Sequence, residues 1–541
     1  MLMQILINRI LMMTEKIDKL LELLTHEKHF RVRLFWEGIA VGIASGLSVG
    51  LFRYLLSASE ELRPFIYNKV QQAWAMGQWQ WPCLYAAAFI CIAYIVAKIV
   101  EKEPMCTGSG IPQIKGILMG KMYMRWYSVL AAKIIGGVLA IGAGLSLGRE
   151  GPSVQIGAAA GQGVSRSAGR TRFEERILLT AGAGAGLAAA FNAPLAGVIF
   201  GLEELQKSFS SVVLMASITA SITATTVIEL FFGMEPVFTV GELLPLPIAM
   251  YGILLALGLF IGVISRLFNK TLLFSLNTYD RLGLTGMRKA LLPLAVAAVL
   301  GLILPEILGG GNRLVDSLIV ENYSLYFLAV LFIGKFLFTM LCFGSGVPGG
   351  IFLPMLVLGA AGGAVFSKIL VLLQLMPADY MPHLIVFGMA AYFAAVVKSP
   401  VTGSILIMEM TGSFSHMLPL ICVSMMAYVV ADLMGGKPVY DELLNRSLVF
   451  KGQHQNRKLL KDTQEKRAAV ELVVDMGSAA AGRKICDISW PEKTILVDIR
   501  RGMYQLVPED SLTLQAGDYL YILANDNEIA DLESLVSQKM T

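Results

Sequence analysis

Charge is scarce in this chain: 16% of its 541 residues are Asp, Glu, Lys or Arg, where soluble domains carry about 25%. That shortage excludes a disordered chain and a coiled coil, and the 55% share of hydrophobic residues places most of the polypeptide in lipid. Cysteine is sparse too. The six (Cys83, Cys91, Cys106, Cys342, Cys422 and Cys486) form no CxxC pair and sit mostly in apolar runs, as buried thiols acting as small hydrophobes do, so zinc and redox chemistry drop out. Five histidines (His26, His29, His383, His416, His454) show no ligand spacing, so no metal and no cofactor is expected. No nucleophile–base set stands out, which argues against an enzyme, and a net charge of +4 without a long basic face argues against a nucleic-acid partner. The first 25 residues lack a small-residue cleavage site and read as an amphipathic helix on the membrane surface.

What charge exists is unevenly placed. It takes 26 of the last 91 residues but only 58 of the first 450, the pattern of a membrane body with a soluble tail. Uncharged stretches at 70–97, 177–202, 208–228, 243–265, 336–367, 380–397 and 410–431 each reach or approach the roughly 20 residues a bilayer needs. Shorter runs, such as 134–148 and 151–165, suggest broken helices, and ten or more membrane helices are expected. Lys28, Arg31 and Arg33, the loop basics Arg166, Arg170, Arg172 and Arg176, and the charged tail all fall on the cytoplasmic side by the positive-inside rule, making this a multi-pass inner-membrane protein with cytoplasmic termini. The organisation read from these shifts is an N-terminal helix at 1–33, a transport domain at 34–450, a linker at 451–467 and a regulatory domain at 468–541.

One internal repeat is visible. Residues 193–204 (APLAGVIFGLEE) align with 399–410 (SPVTGSILIMEM), pairing Pro194 with Pro400, Gly197 with Gly403, Ile199 with Ile405 and Glu203 with Glu409. Matched Gly/Pro-interrupted segments in two halves mark a transporter with a midplane site. Three further segments, GSGIPQ (108–113), GREGPSVQ (148–155) and GGIFLP (349–354), read as irregular turns leading into apolar helices. One such motif is ordinary close helix packing; three in one chain aim several helix starts, with their unpaired N–H groups and positive dipole ends, at one place. That arrangement binds an anion, and partial charges hold it loosely enough to let it leave. Ser109 adds a hydroxyl donor.

Arg149–Glu150 stands between two fifteen-residue uncharged runs, and a carboxylate so placed costs at least ~2.5–3.5 kcal/mol to insert. Ionised, Glu150 can occupy an anion site; protonated, it leaves, which makes it both gate and proton carrier. A second acidic pair ends the run 177–202: Glu203 is expected to pair with Lys207 four residues on at a solvated helix end, while Glu204 is a candidate for passing protons toward Glu150. The glycines of TAGAGAGLAAA (180–190) lack GxGxxG spacing and read as close helix packing, not a dinucleotide loop.

At these residues the chain resembles the CLC family of chloride channels and proton-coupled chloride transporters. GSGIPQ, GREGPSVQIG, FNAPLAGVIFGLEE, GSGVPGGIFLP and GGKPVY occur in the family's order, and the resemblance spans about 30–440. It implies an all-α polytopic membrane protein with the CLC fold, two inverted repeats of tilted and broken helices, assembled as a homodimer in the bilayer with a pore in each subunit. It also implies chloride bound by the Ser109 hydroxyl, the Tyr440 phenol and the N–H groups of Ile351 and Phe352, with Arg149 and Gly151 counted at the same site. Glu150 matches the family's external gating glutamate, and Glu204 the internal proton-transfer glutamate of its exchangers. Carrying both favours chloride/proton antiport over a gated chloride channel without coupling; an anion-sensing receptor is the reading of a different class. Gln113 departs from the common GSGIPE ending.

In the tail, AAVELVV (468–474), TILVDIR (494–500) and DYLYILA (518–524) alternate as strands with one solvated face, and 526–536 reads as a closing helix, making a small α+β cytoplasmic domain. The stretch 495–524 resembles the TrkA-C (RCK-C) subdomain, which implies regulation by a small ligand or ion, with dimerisation alone as the alternative.

Overall fold

The computed structural model describes residues 2–234, 236–238, 240, 246–450, 467–491, 494–501, 504–525 and 528–537, with side chains in the first helix from Phe30 onward. The first half of the membrane body comprises α1 (Leu2–Ala75), α2 (Gln80–Lys102), α3 (Ile111–Leu118), α4 (Trp126–Gly142), α5 (Glu150–Ser167), α6 (Arg172–Phe191), α7 (Pro194–Phe200) and α8 (Ser211–Phe232). The second comprises α9 (Tyr251–Arg281), α10 (Met287–Ile303), α11 (Asn312–Val320), α12 (Leu325–Gly344), α13 (Phe352–Leu372), α14 (Met381–Val397), α15 (Pro400–Thr411) and α16 (Met417–Leu433). A last helix, α17 (Val439–Phe450), carries Tyr440 at its start. Among the described residues eight helices are long and apolar enough to cross a membrane unbroken, and shorter or glycine-rich helices stand between them, as expected of a body with broken helices. α1 runs without a break from Leu2 into the first span.

The two halves repeat one another more fully than the sequence alone suggests. Gly148, Pro152, Gly157, Ala158, Ala159 and Gly161 of the α5 region recur 202 residues later as Gly350, Pro354, Gly359, Ala360, Ala361 and Gly363 of the α13 region. Their packing recurs with them. A Cβ on Gly157 would collide with the Gly182 carbonyl and one on Gly182 with the Gly157 carbonyl; Gly359 and Gly388 block each other in the same way. Small residues bring α5 onto α6 and α13 onto α14 at backbone contact, which is how helices associate without a hydrophobic driving force between them. Gly148 and Gly350, equivalent positions of the two halves, pair as an antiparallel bridge. Equivalent residues meet antiparallel when a twofold axis relates their segments, so the two repeats are related by a twofold at this crossing.

The tail is a four-stranded antiparallel sheet with spatial order β1–β4–β2–β3, built from β1 (Arg467–Val473), β2 (Ile495–Arg501), β3 (Tyr504–Leu506) and β4 (Tyr519–Asn525), and closed by α18 (Ile529–Val536). The three expected strands are present; β3 is an addition of three residues, too short for its alternation to register. Leu472, Ile499, Leu520, Ile522 and Leu532 fill a core of their own. Of the expected linker, residues 451–466 lie outside the described residues.

Replacing Gly157 by Ala is expected to destabilise the body by about 1–3 kcal/mol through overpacking. Gly252, with open space around it, is the comparison. Thermal unfolding in detergent should separate the two; a Gly157→Ala midpoint equal to that of Gly252→Ala would reject the glycine contact as structural.

Candidate functional site

Three glycine-rich turns meet in the middle of the body. The Gly148 N–H donates to the Gly350 carbonyl at 2.6 Å, the Gly350 N–H to the Gly148 carbonyl at 2.8 Å, and the Gly349 N–H to the Gly108 carbonyl at 3.0 Å. These bonds hold together the segments that open α3, α5 and α13. Gly110 sits at φ +93° with the Gln155 side chain where a Cβ would stand, so no other residue fits that turn. Gly151 lies between Ser109 and Gly350: a Cβ there would collide with the Ser109 hydroxyl and stand 3.2 Å from the Gly350 Cα. The first N–H groups of three helices, and their positive dipole ends, are thereby gathered in one buried place.

Side chains complete it. Ser109 Oγ, Tyr440 OH and both carboxylate oxygens of Glu150 are buried and make no well-formed hydrogen bond; the Tyr440 phenol faces Ser109, and the Glu150 carboxylate faces its own N–H and that of Leu353 in the first turn of α13. Glu150 is fully buried, and Arg149 Nε stands 3.8 Å from Glu150 Oε1, close enough for attraction but not hydrogen-bonded. Ile351 is the residue before α13 and Phe352 its first, with the Phe352 ring against Phe191, Phe200 and Phe393 at centroid distances of 5.5, 6.4 and 4.6 Å. The turns thus bring the segments of Ser109, Arg149, Glu150, Gly151, Ile351 and Phe352 together, with the phenol of Tyr440 buried at the start of α17, which packs on α3. Gln113, where the family's acid is usual, donates to the Thr107 carbonyl at 2.8 Å and so braces the Ser109 turn.

Glu204 lies in a separate, buried network. It accepts from Lys115 Nζ at 2.7 Å and from Ser399 Oγ at 2.9 Å. Lys115 also donates to Asp441 at 2.5 Å, and Asp441 receives Lys207 at 2.6 Å. This corrects the expected Glu203–Lys207 pair. The chain winds as a π-turn over Gly201–Gln206 and Lys207 turns to φ 54°, so Lys207 no longer shares a helix face with Glu203. Glu203 instead accepts from the N–H groups of Val401 (3.3 Å) and Thr402 (2.7 Å), while Glu409 accepts from those of Leu195 (3.0 Å) and Ala196 (2.7 Å). Each repeat's glutamate caps the proline-started helix of the other, at the second and third positions where the N–H groups have no partner within the helix.

Sequence reasoning missed three fully buried lysines: Lys115 of the Glu204 network, and the pair Lys133 and Lys335. Lys133 donates to the carbonyls of Cys106 (3.0 Å) and Gly108 (2.6 Å), and Lys335, its counterpart 202 residues on, to those of Ile307 (3.0 Å) and Gly309 (2.7 Å). Lys133 therefore anchors the turn that presents Ser109. Lys133 and Lys335 stand alone in apolar runs, the signal that singled out Glu150, here carried by a cation.

Fold and site define a polytopic membrane protein of two repeats in which three glycine turns at helix starts meet at one buried place. Residues 87–432 match the voltage gated chloride channel family model and residues 469–537 the TrkA-C domain model. The chain belongs to the voltage gated chloride channel family, the CLC proteins. It is 36% identical over 418 residues to the H(+)/Cl(-) exchange transporter ClcA of Vibrio vulnificus (strain YJ016), covering 75% of this chain and 88% of that protein. With the protein of the same name from Vibrio cholerae serotype O1 (strain M66-2) it shares 38% identity over 381 residues, covering 68% and 80%. Among solved structures, a slow cyanobacterial Cl-/H+ antiporter superposes with a TM-score of 0.72 at 32% identity, covering 79% of this chain and 99% of that one. A CLC-type fluoride/proton antiporter shares the fold, with a TM-score of 0.62 at 21% identity over 74% and 95% of the two chains.

Alanine at Glu203 or at Glu409 should lower stability by about 1–3 kcal/mol each, the worth of charge-assisted capping bonds. Thermal unfolding of the two variants should give similar losses; a Glu203→Ala protein as stable as the parent would return Glu203 to the surface role first expected.

Proposed function

We propose that this protein is a secondary active chloride/proton antiporter of the cell inner membrane, with both termini cytoplasmic and a pathway in each subunit of a homodimer. One observation carries the reading. Ser109, Tyr440 and Glu150 gather buried polar atoms that make no well-formed hydrogen bond around the meeting of three helix starts, where a small anion would be bound by N–H and O–H donors. The named exchange activity of the Vibrio relatives supports the coupled reading over a channel.

In this mechanism chloride is held by the Ser109 and Tyr440 hydroxyls and the N–H groups of Ile351 and Phe352, with Arg149 and Gly151 at its edge. Ionised Glu150 competes for the same donors. Protonation removes its charge, it yields the site to chloride, and its return carries the proton onward. Glu204 supplies protons from the cytoplasmic side. Lys115 donates to both Glu204 and Asp441, so when Glu204 is neutralised the ammonium keeps a carboxylate and no lone buried cation remains. The tail acts as a regulatory module for a small ligand or ion.

Proteoliposomes under crossed chloride and pH gradients test the proposal: antiport gives chloride-driven proton movement, and chloride flux alone would establish a channel. Glu150→Gln should abolish proton coupling while some chloride flux persists; coupling at the parental ratio would reject the gate. In Glu204→Gln, proton movement should fall to background with chloride transport retained, and undiminished proton uptake would remove Glu204 from the pathway.

A further inference from the structure

The tail meets the membrane body at a defined seat. Arg176, in the second turn of α6, donates to Glu533 of α18 at 2.9 Å. Phe173, one turn earlier, packs against both the membrane core and the tail's own core. Beside them the loop after α3 turns back at Gly120, φ +68°, and the Ala530 methyl of α18 lies 3.3 Å from where a Gly120 Cβ would stand, with Arg176 Nη2 at 3.4 Å from the same point. An ion pair and a close glycine approach therefore converge on one face of α18, and an aromatic side chain one turn from Arg176 is shared by the two cores.

What this face touches gives the contact its meaning. Helix α3 has eight residues, about 12 Å, and seven of the eight are buried. Ser109 immediately precedes its first turn, Lys115 in its middle holds Glu204 and Asp441, and Gly120 closes its far end under Ala530. A segment this short, packed on nearly every side, moves as a unit: displacement at Gly120 is felt at Lys115 and at Ser109. The α6 side reaches the same network, since Thr180 donates to the Arg176 carbonyl at 2.9 Å and accepts from Gln206 at 2.7 Å, two residues beyond Glu204.

We infer that α18 is the face through which the C-terminal domain acts on transport, seated on the α3 terminal loop and the start of α6, so that the state of the domain sets the position of α3 and with it the turnover of exchange. This rests on the antiporter reading for its consequence but not for its contact. The stoichiometry is left to Glu150 and Glu204; the seat governs rate.

The test uses the full-length protein and two readouts. Glu533→Arg and Arg176→Glu each place like charges across the seat, the double exchange restores opposite charges, Ala530→Trp wedges the second half of the contact, and Glu509→Arg, on an exposed part of the tail, is the comparison. Hydrogen exchange should show amide protection at 118–122 and 172–176 lost in both single reversals and in Ala530→Trp, regained in the double exchange and unchanged in Glu509→Arg. Coupled chloride and proton flux in proteoliposomes should change by about fivefold or more in the same variants at an unaltered chloride-to-proton ratio, and recover in the double exchange. Unchanged protection in the single reversals would refute the seat itself. Lost protection with parental flux would refute the regulatory role, and a changed ratio would mean that the contact acts on coupling, contrary to the inference. Because exchange protection is read without transport, failure of the seat is distinguishable from failure of the antiporter reading.

Discussion

The reciprocal backbone pairing of Gly148 with Gly350 is the constraint on which the rest depends. Two chain segments cross at the centre of a membrane body, where an unpaired peptide group is costly, and each satisfies the other. Side chains find no room there: a Cβ on Gly148 would collide with the Glu150 carboxylate and one on Gly350 would stand 3.1 Å from the Gly151 nitrogen, and the pairing brings the helix starts behind them to one point. The same economy recurs further out: the α5–α6 and α13–α14 glycine contacts close the helices around the crossing, and Glu203 and Glu409 satisfy each other's helix starts. A twofold relation makes every such device serve twice.

In the proposed mechanism, function enters where the twofold relation is broken. At equivalent positions Arg149 and Glu150 stand in one repeat and Ile351 and Phe352 in the other. One half contributes a group that can change charge, and the other an apolar ring held among three phenylalanines beside amide donors. Lys133 and Lys335 remain alike in both halves, since each performs the same task of tying a glycine turn to the helix behind it. Scaffold residues obey the repeat and working residues depart from it.

Much of this was legible in the sequence, for reasons particular to each element. The three glycine turns and lone Glu150 announce themselves because lipid makes irregular backbone and isolated charge expensive. The tail strands were readable from alternation, and β3 was not because three residues carry no period. The second repeat at an offset of 202 is harder to see because its matches are scattered Gly, Pro and Ala positions separated by unlike residues such as Arg149–Glu150 and Ile351–Phe352. Lys115, Glu204 and Asp441 are brought together across 89 and 326 residues of sequence, and no local rule reaches so far. The Glu203–Lys207 expectation failed because four-residue spacing implies a shared face only on an α-helix, and the chain there is a π-turn ending in left-handed backbone.

Bromide, a heavier halide with the same charge, offers the most direct test of the central claim. Crystals soaked in bromide should give an anomalous peak at the meeting of the α3, α5 and α13 starts, within hydrogen-bond reach of Ser109 Oγ and Tyr440 OH. Peaks only elsewhere, with that meeting point empty and the Glu150 side chain remote from it, would contradict the account.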